Sequence, residues 1–297
     1  MRFIQKRFLR EISKNTLCVF LIFASGSGVC HAQTTYLKWK KEAVYGIGTC
    51  HYFGDMGGKQ LGGASFGTDE FDMKNLRPVV RIGIKQNILG WLAINSQLSY
   101  TRINQDDSKS AKIWQHARNL QFSTNIVEAS VIAETRLWYK NFKFNNKKSF
   151  VEYYVALGAG LFYYNPTTKY EGKKYNLRQV GTEGQGLIPN SKTYSIVAAC
   201  LPVGGGFRFG LSSRTTLFLE AVYRYTTTDY IDDVSSNYPD FYKLTGSENT
   251  LASKLSYRGN DAYPAGSRRG NPSVKDSYVF FQIGLSKAIG NGRLSRL

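Results

Sequence analysis

The connections between alternating apolar and polar segments constrain this chain more than any motif, because they switch regularly between long and short. Seven connections follow in chain order, the odd ones long and the even ones short: 54–77, 86–90, 105–118, 140–148, 165–191, 210–214 and 229–275. Barrels that cross the bacterial outer membrane have short periplasmic turns and long external loops. The layout therefore predicts an all-β fold, a transmembrane antiparallel up-and-down β-barrel.

The segment 127–139 shows the alternation most clearly. One of its faces begins at Val127, and the other contains Arg136 and Trp138. A period of two over this length excludes a helix. About eight such strands are predicted: 42–53, 80–85, 92–101, 127–139, 150–163, 194–209, 216–228 and 277–289. An even number places both termini in the periplasm. Pro202 cannot donate a ladder hydrogen bond, so we expect a bulge or register break there, with a change in the phase of the alternation.

Residues 1–32 are predicted to be a signal peptide, which leaves 33–297 as the barrel domain. Five basic residues precede the apolar run 16–23, and this run is shorter than the roughly 20 residues with which a helix crosses a bilayer. Export then leads to the outer membrane. The exported part retains Cys50 and Cys200, for which a disulfide is possible. Both lie in predicted strands, however, and a free thiol there packs as a small apolar group.

The lumen of the predicted barrel contains charges of both signs. Side chains can fill the interior of a barrel of about eight strands. The charge network predicted for the lumen comprises Arg81, Glu128, Glu134, Arg136, Glu152, Arg208, Glu220 and Arg224, and Lys85 is also predicted to face inward. Opposite charges in nearly equal number can pair, as buried charges must. This favours a charge network in the lumen over a wide ion channel.

Basic residues collect at the predicted periplasmic end, in a chain whose net charge is +18. The predicted partner-binding set comprises Lys38, Lys40, Lys41, Lys140, Lys143, Lys147, Lys148 and Arg214. The same end also contains Lys85, Lys287, Arg293 and Arg296, against one acid, Glu42. Such a face fits an acidic periplasmic partner. A solvated rim that also touches anionic lipid headgroups is the alternative.

No catalytic residue, cofactor, nucleic acid or small-molecule substrate is predicted. His51 and His116 are the histidines of the exported part, and no serine in a recognisable nucleophile elbow accompanies them. A lipid-modifying enzyme that uses His51 is therefore a minor alternative. The glycine-rich segment 181–186 lacks the lysine of a phosphate-binding loop, and turn geometry explains it.

A calcium site is the one metal site that the spacing allows. The candidate ligands are Asp229, Asp232 and Asp233. Carboxylates at such spacing can hold calcium, but the glycine of the EF-hand pattern is absent. An ion-pair network with loop arginines is therefore favoured over a metal site.

Six motifs occur in order along nearly all of the chain after residue 32. They are 52–58 (YFGDMGG), 123–128 (STNIVE), 162–166 (FYYNP), 181–186 (GTEGQG), 223–235 (YRYTTTDYIDDVS) and 269–278 (RGNPSVKDSY). The motif at 223–235 is the longest and the most specific. With this set the chain resembles the PorG-type outer-membrane barrel proteins of the type IX (Por) secretion system of Bacteroidetes.

The resemblance implies a non-enzymatic secretion component that attaches a periplasmic ring, formed by a lipoprotein and its partner, to the outer membrane. The motif residues to which we assign roles are Gly54, Asp55, Gly57, Gly58, Asp229, Asp232, Asp233, Arg269, Asn271 and Pro272. The glycines are expected at positive φ. Arg269, Asn271 and Pro272 are expected in a turn beside the aspartates, where an external cap would be held.

An independent small channel or receptor for small solutes is the alternative to a secretion component. It requires an unblocked lumen, whereas a docking barrel does not. Planar-bilayer conductance distinguishes the two classes.

Overall fold

The computed structural model describes residues 40–56, 75–110, 112–144, 147–187, 192–247 and 249–290. For Phe144, Lys147 and Lys148 only the backbone is described. The predicted signal peptide, Lys38, Gly57, Gly58, Arg293 and Arg296 lie outside the described residues.

Eight antiparallel strands form a closed barrel. They are β1 (Lys41–Phe53), β2 (Arg77–Asn87), β3 (Leu92–Asp106), β4 (Gln121–Phe144), β5 (Lys147–Tyr163), β8 (Val197–Gly210), β9 (Thr215–Thr226) and β10 (Ser277–Ala288). The remaining two, β6 (Thr167–Tyr170) and β7 (Lys173–Asn176), form a hairpin in a long connection. The predicted eight-stranded up-and-down barrel is thus confirmed.

The first and last barrel strands pair along their whole length, which closes the wall. Glu42 faces Ala288 at one end of this seam, and Phe53 faces Ser277 at the other. Each other barrel strand pairs with the barrel strands before and after it in the chain. Closure leaves no barrel strand with an unpaired edge over its central part, which is how a sheet satisfies its backbone groups in lipid.

Alternation along the strands separates an apolar outer wall from a mostly polar lower lumen. On the outer wall Ile47, Ile82 and Leu161 each expose more than half of their surface, 64%, 57% and 60%. In the lumen Lys85 and Glu152 are buried. A wall of exposed aliphatic side chains is unfavourable in water and favourable against lipid, and this pattern is typical of a barrel that spans a membrane.

Two details of the predicted strands are wrong. A bulge in β4 shifts the register between Arg136 and Trp138, so that Leu137 and Trp138 are both 48% exposed. Trp138 therefore does not face the lumen, because one extra residue reverses the alternation. In β8 the alternation continues unchanged through Pro202. The ladder to β5 lacks pairs at Leu201 and Pro202 but resumes in the same register.

The described helices are all short: α1 (Ile113–Arg118), α2 (Leu177–Val180), α3 (Phe241–Thr245) and α4 (Leu251–Ser256). Among the described residues no helix has the length and apolarity required to cross a membrane. The helices belong to the long connections, which all leave the same end of the barrel.

Residues of the connection 227–276 fill the upper part of the barrel. Ile231, Val234 and Leu255 are each no more than 1% exposed, and they pack in one apolar cluster with strand residues such as Ile126 and Phe162. The long connections therefore fold into a structure over the barrel, which we call the loop cap: the described parts of 107–120, 164–196 and 227–276. The opposite end, where β1 begins and β10 ends, is the terminal rim.

Candidate functional site

The lowest charged layer of the lumen lies just above the terminal rim. Lys85 pairs with Glu42 at 2.7 Å, and Asn87 and Ser286 donate hydrogen bonds to the same carboxylate, both at 2.7 Å. Lys85 is therefore buried and neutralised. Lys85 therefore faces the lumen, as the alternation of its strand predicts, and the further prediction that it adds to the exposed basic face is wrong.

The middle layer of the lumen is built around Arg208. Its guanidinium pairs with Glu134 and, at 3.0 Å, with Glu152. Arg136 lies 3.9 Å from Glu152 at the edge of the layer, and its side chain is 19% exposed. Asn95 donates a hydrogen bond to Glu134 at 2.9 Å. Arg208 thus bridges two carboxylates, and Glu152 is shared by two arginines.

Two further pairs complete the charged lumen. Arg81 lies 2.5 Å from Glu220, which also accepts a hydrogen bond from the Tyr154 hydroxyl at 2.7 Å. Higher up, Arg224 lies 3.2 Å from Glu128, and neither side chain is exposed. The structure therefore brings all eight residues of the predicted lumen set into ion pairs with other members of that set.

All four lumen arginines also lie over aromatic rings. The guanidinium carbon is 3.7 Å from the ring centre of Tyr154 for Arg208, and 3.9 Å from that of Phe280 for Arg224. The distance is 4.6 Å from Arg81 to Phe218 and 4.8 Å from Arg136 to Tyr139. Guanidinium groups are weakly hydrated and planar, so they suit such buried stacks. Ion pairs and rings together occupy the lumen from the terminal rim to the apolar cluster.

Two buried arginines hold the loop cap together. Arg269 donates to Glu183 at 2.8 Å, and its guanidinium lies 3.6 Å from Asp233. Arg118 pairs with Asp107 at 2.6 Å and donates to the backbone carbonyl of Arg269 at 2.8 Å. Opposing charges hold the pKa of Arg118 and of Arg269 above the usual range despite burial. The cap thus joins residues from three long connections.

Below these pairs lie the buried carboxyl groups of Asp229, Asp232 and Asp276, which form no ion pair with a basic side chain of the described residues. Burial raises the pKa of Asp229 to about 7, and the charge of Asp55 adds to the rise. Burial and the neighbouring acids Asp55 and Asp229 raise the pKa of Asp232 well above its ordinary value. Burial raises the pKa of Asp276 in the same way, with contributions from Asp232 and Asp229. Burial therefore favours the protonated form of these carboxyl groups.

Two of the three candidate calcium ligands, Asp232 and Asp233, accept hydrogen bonds from protein donors. Asp233 accepts hydrogen bonds from Thr182 and, at 2.7 Å, from Tyr194. Asp232 accepts backbone N–H bonds from Met56 at 3.1 Å and Val234 at 2.9 Å. Across the described part of the chain, no group of three or more His, Cys, Asp or Glu side chains is arranged to hold a metal ion.

The remaining motif residues lie at the base of the cap. Asn271 donates its backbone N–H to Asp55 at 2.6 Å, whereas Pro272 is exposed. Gly54 is not among the glycines with positive φ, so the reason predicted for this glycine is wrong. A Cβ at Gly54 would lie 1.8 Å from the Tyr52 hydroxyl oxygen, and the close approach of the Tyr52–Asp276 hydrogen bond explains the glycine instead.

Neither histidine lies in a recognisable catalytic arrangement. His51 is buried beside Phe53, with ring centres 4.7 Å apart, and His116 is exposed on α1. Cys50 and Cys200 are free buried thiols, as the packing interpretation of the sequence predicts.

The terminal rim exposes basic side chains. They are Lys40, Lys41, Lys140, Lys143, Arg214 and Lys287. Glu42 is the acid at this end among the described residues, and it is buried against Lys85. The exposed surface of the described rim is therefore basic without compensation by nearby acids.

The hairpin of β4 and β5 is the longest part of the terminal rim. The two strands remain paired from Trp138, which faces Tyr153, to Phe144, which faces Lys147. On one side, the pairing of β4 with β3 stops at Thr135, which faces Leu92, the first residue of β3. On the other side, the pairing of β5 with β8 stops at Val151, which faces Phe209. The hairpin therefore extends beyond the wall of the barrel on both sides.

Several residues of the cap were missed by the sequence reasoning. Asp107, Arg118, Glu183 and Asp276 are buried and form its main polar contacts. Their partners lie on other connections, and a single sequence contains no local signal of such pairs. The available indications were that Glu183 lies in the motif 181–186 and Asp276 in the motif 269–278.

No protein-family model and no curated protein matches the chain. Among solved structures, the chain is similar to Ail, the attachment invasion locus protein of Yersinia pestis, with 9% identity, a TM-score of 0.36, and coverage of 87% of this chain and 100% of Ail. Neisserial surface protein A has 12% identity and a TM-score of 0.35, over 84% of this chain and 97% of the other. A major outer membrane protein from Thermus thermophilus has 11% identity and a TM-score of 0.29, over 86% of this chain and 99% of the other.

Proposed function

We propose that this chain is a non-enzymatic outer-membrane barrel that docks periplasmic proteins of a type IX secretion system through its terminal rim. In this assignment the terminal rim faces the periplasm and the loop cap faces the cell exterior. The apolar outer wall supports membrane residence, and the short turns at one end with long connections at the other support the orientation.

The observation that carries the proposal is the uncompensated basic charge of the terminal rim. Lys140 and Lys143 are exposed on the protruding hairpin, and Lys40 and Lys41 are exposed at the start of β1. Exposed lysines of one sign speed and orient the encounter with an acidic surface. Within the described residues these four lysines form no ion pair, so their charges are accessible to a partner.

The filled lumen favours docking over solute passage. Arg208 and Arg224 are buried and paired with carboxylates, and apolar residues of the loop cap such as Ile231 fill the space above them. A conducting pore would have to break these pairs, which is costly because each leaves a buried charge without its partner. The resemblance of the motifs to the PorG-type family supports the secretion system as the context.

The test is recovery of periplasmic partners with the tagged barrel from gently solubilised outer membranes, followed by mass spectrometry. The variant Lys140→Glu with Lys143→Glu reverses two exposed charges on the rim. We expect it to recover about tenfold less partner, because attraction becomes repulsion at the contact. Raising the salt concentration should weaken recovery by the unmodified protein in the same direction.

The matched control is Lys173→Glu with Lys174→Glu, which makes the same charge change on the exposed strand β7 at the opposite end. It should recover partners normally. Equal recovery by both variants would contradict the proposal. Both variants must remain heat-modifiable on a gel, which shows that the barrel is folded.

A further inference from the structure

The protruding hairpin has an open strand edge. Beyond Arg136, whose N–H donates to the carbonyl of Trp91 at 2.8 Å, β4 continues to Phe144. Among the described residues, the stretch from Lys140 to Phe144 pairs with β5 alone. At about 3.3 Å per residue, these five residues give an edge of roughly 16 Å.

An exposed edge of this kind is a template for another strand. Backbone N–H and C=O groups along it can pair with an extended segment, and soluble proteins usually cover or shorten such edges. Strand addition is a common way to recognise a peptide, because main-chain hydrogen bonds supply affinity and alternate side chains supply specificity. The hairpin is neither short nor covered within the described residues.

The side chains of the hairpin define the partner. Trp138, Lys140 and Phe142 lie on the face that continues the outer wall, and Asn141 and Lys143 lie on the other face. Trp138 and Phe142 are 48% and 39% exposed. All charged residues from 137 to 150 are lysines. A matching strand would place apolar side chains against the two rings and acidic side chains beside the lysines.

We propose that the edge of β4 from Lys140 to Phe144 binds an acidic extended segment of a periplasmic protein by strand addition. The added strand continues the place of β3 in the sheet and begins beside Trp91, which is 53% exposed. This inference rests on the proposed docking function and names the element and the mode of binding.

Charge selects the occupant among the strands that could reach the edge. A second copy of the hairpin would bring lysines against lysines, and like charges across a strand pair are destabilising. The segment of this chain that precedes β1 contains Lys38 and no acid in 33–41, so it has the same sign. An acidic strand from another protein is the occupant that the charge favours.

The test is site-specific photocrosslinking in intact outer membranes, with a photoreactive phenylalanine analogue at Lys140, Asn141, Phe142 or Lys143. The control position is Ser212, which is exposed in the turn between β8 and β9 of the same rim. Strand addition predicts about tenfold more crosslinked partner from the hairpin than from Ser212, and crosslinks to a single short segment of one protein. Because side chains alternate between the two faces of a strand, positions 140 and 142 should crosslink to one set of alternate residues in that segment, and positions 141 and 143 to the other set.

Three outcomes would overturn the inference. Crosslinks that are equally strong from Ser212, or that are scattered over the partner, would contradict strand addition. If the partner still co-purifies with the barrel, such a result would leave the docking function intact. Crosslinks to lipid or to a second copy of the barrel would assign the edge to the membrane or to self-association. If the unmodified barrel recovers no periplasmic protein and none of the positions crosslinks to one, both the inference and the proposed function fail.

Discussion

The two ends of the barrel use charge in opposite ways. In the loop cap Arg118 and Arg269 are buried and bonded to acids or carbonyls. At the terminal rim, by contrast, Lys140 and Lys143 are exposed and form no ion pair with a described residue. A buried guanidinium is part of the structure, because its removal leaves its partner unpaired. An exposed lysine contributes little to folding, so its charge remains available for another molecule.

The choice between arginine and lysine follows the same division. The lumen and the cap bury Arg81, Arg118, Arg208, Arg224 and Arg269. Exposed basic residues of the rim are mostly lysines, and Lys85 is the one lysine in the buried set of the described chain. Planar, weakly hydrated guanidinium tolerates burial, whereas the ammonium group is strongly hydrated and favours exposure. Residue type thus separates charges that hold the barrel from charges that face outward.

The largest effect is expected from breaking a lumen pair. Arg224→Met leaves Glu128 buried without a cation and should destabilise the barrel by about 3–5 kcal/mol, as for other buried pairs. Thermal unfolding in detergent, followed by loss of heat-modifiability, measures it. The double variant with Glu128→Gln removes both charges and should recover most of the loss. If Arg224→Met is as stable as Lys143→Ala, buried and exposed basic residues contribute equally to stability, and the comparison between them is wrong.

A smaller and more local effect is expected in the cap. Arg269→Ala removes the partner of Glu183 and Asp233, and it should destabilise the cap by roughly 2–4 kcal/mol while the barrel remains closed. Limited proteolysis of the connection 227–276 is the measurement. Arg268→Ala is the control, because the neighbouring Arg268 is exposed. Equal protease resistance of the two variants would remove Arg269 as the centre of the cap.

The smallest effect is a pH dependence of the cap. Because burial raises the pKa of Asp229 from 3.8 to about 7, its contribution to stability is full below about pH 4 and is lost as the pH rises through 7. Asp229→Asn should therefore stabilise the cap by roughly 1–2 kcal/mol at pH 8 and by little at pH 4.

Proteolysis at the two pH values measures this change. Asp261→Asn is the control, because Asp261 is exposed in the same connection. A gain for Asp229→Asn that is the same at both pH values would mean that the carboxyl group does not titrate in this range.

The sequence predicts the barrel because its signal is local and repeated. A period of two marks each strand, and the charges of the lumen follow from the same alternation, as with Glu134 and Arg208. The sequence leaves open whether part of the third or fourth long connection pairs as two further strands. It does not predict the hairpin of β6 and β7 itself, because each strand has only four residues. Its signal was the dipeptide Glu171-Gly172, where both residues have positive φ, a combination that tight hairpin turns require.

The sequence does not predict the cap for a different physical reason. Glu183 and Arg269 are 86 positions apart, and Tyr52 and Asp276 are 224 apart. No period relates such pairs, and their contact depends on how three connections fold over one opening. The Trp138 error has a local cause, since the bulge that precedes this residue has no glycine or proline to mark it.

The seam between β1 and β10 has a consequence for the order of assembly. Glu42 and Ala288 face each other across nearly the whole chain, and contacts between distant segments form slowly because a long loop must close first. The connection 227–276 precedes β10. In the proposed orientation, the chain that builds the cap therefore crosses the membrane before or together with the strand that closes the wall. Until that step both seam strands have open edges, so premature pairing with another chain is a hazard of biogenesis that the finished barrel no longer has.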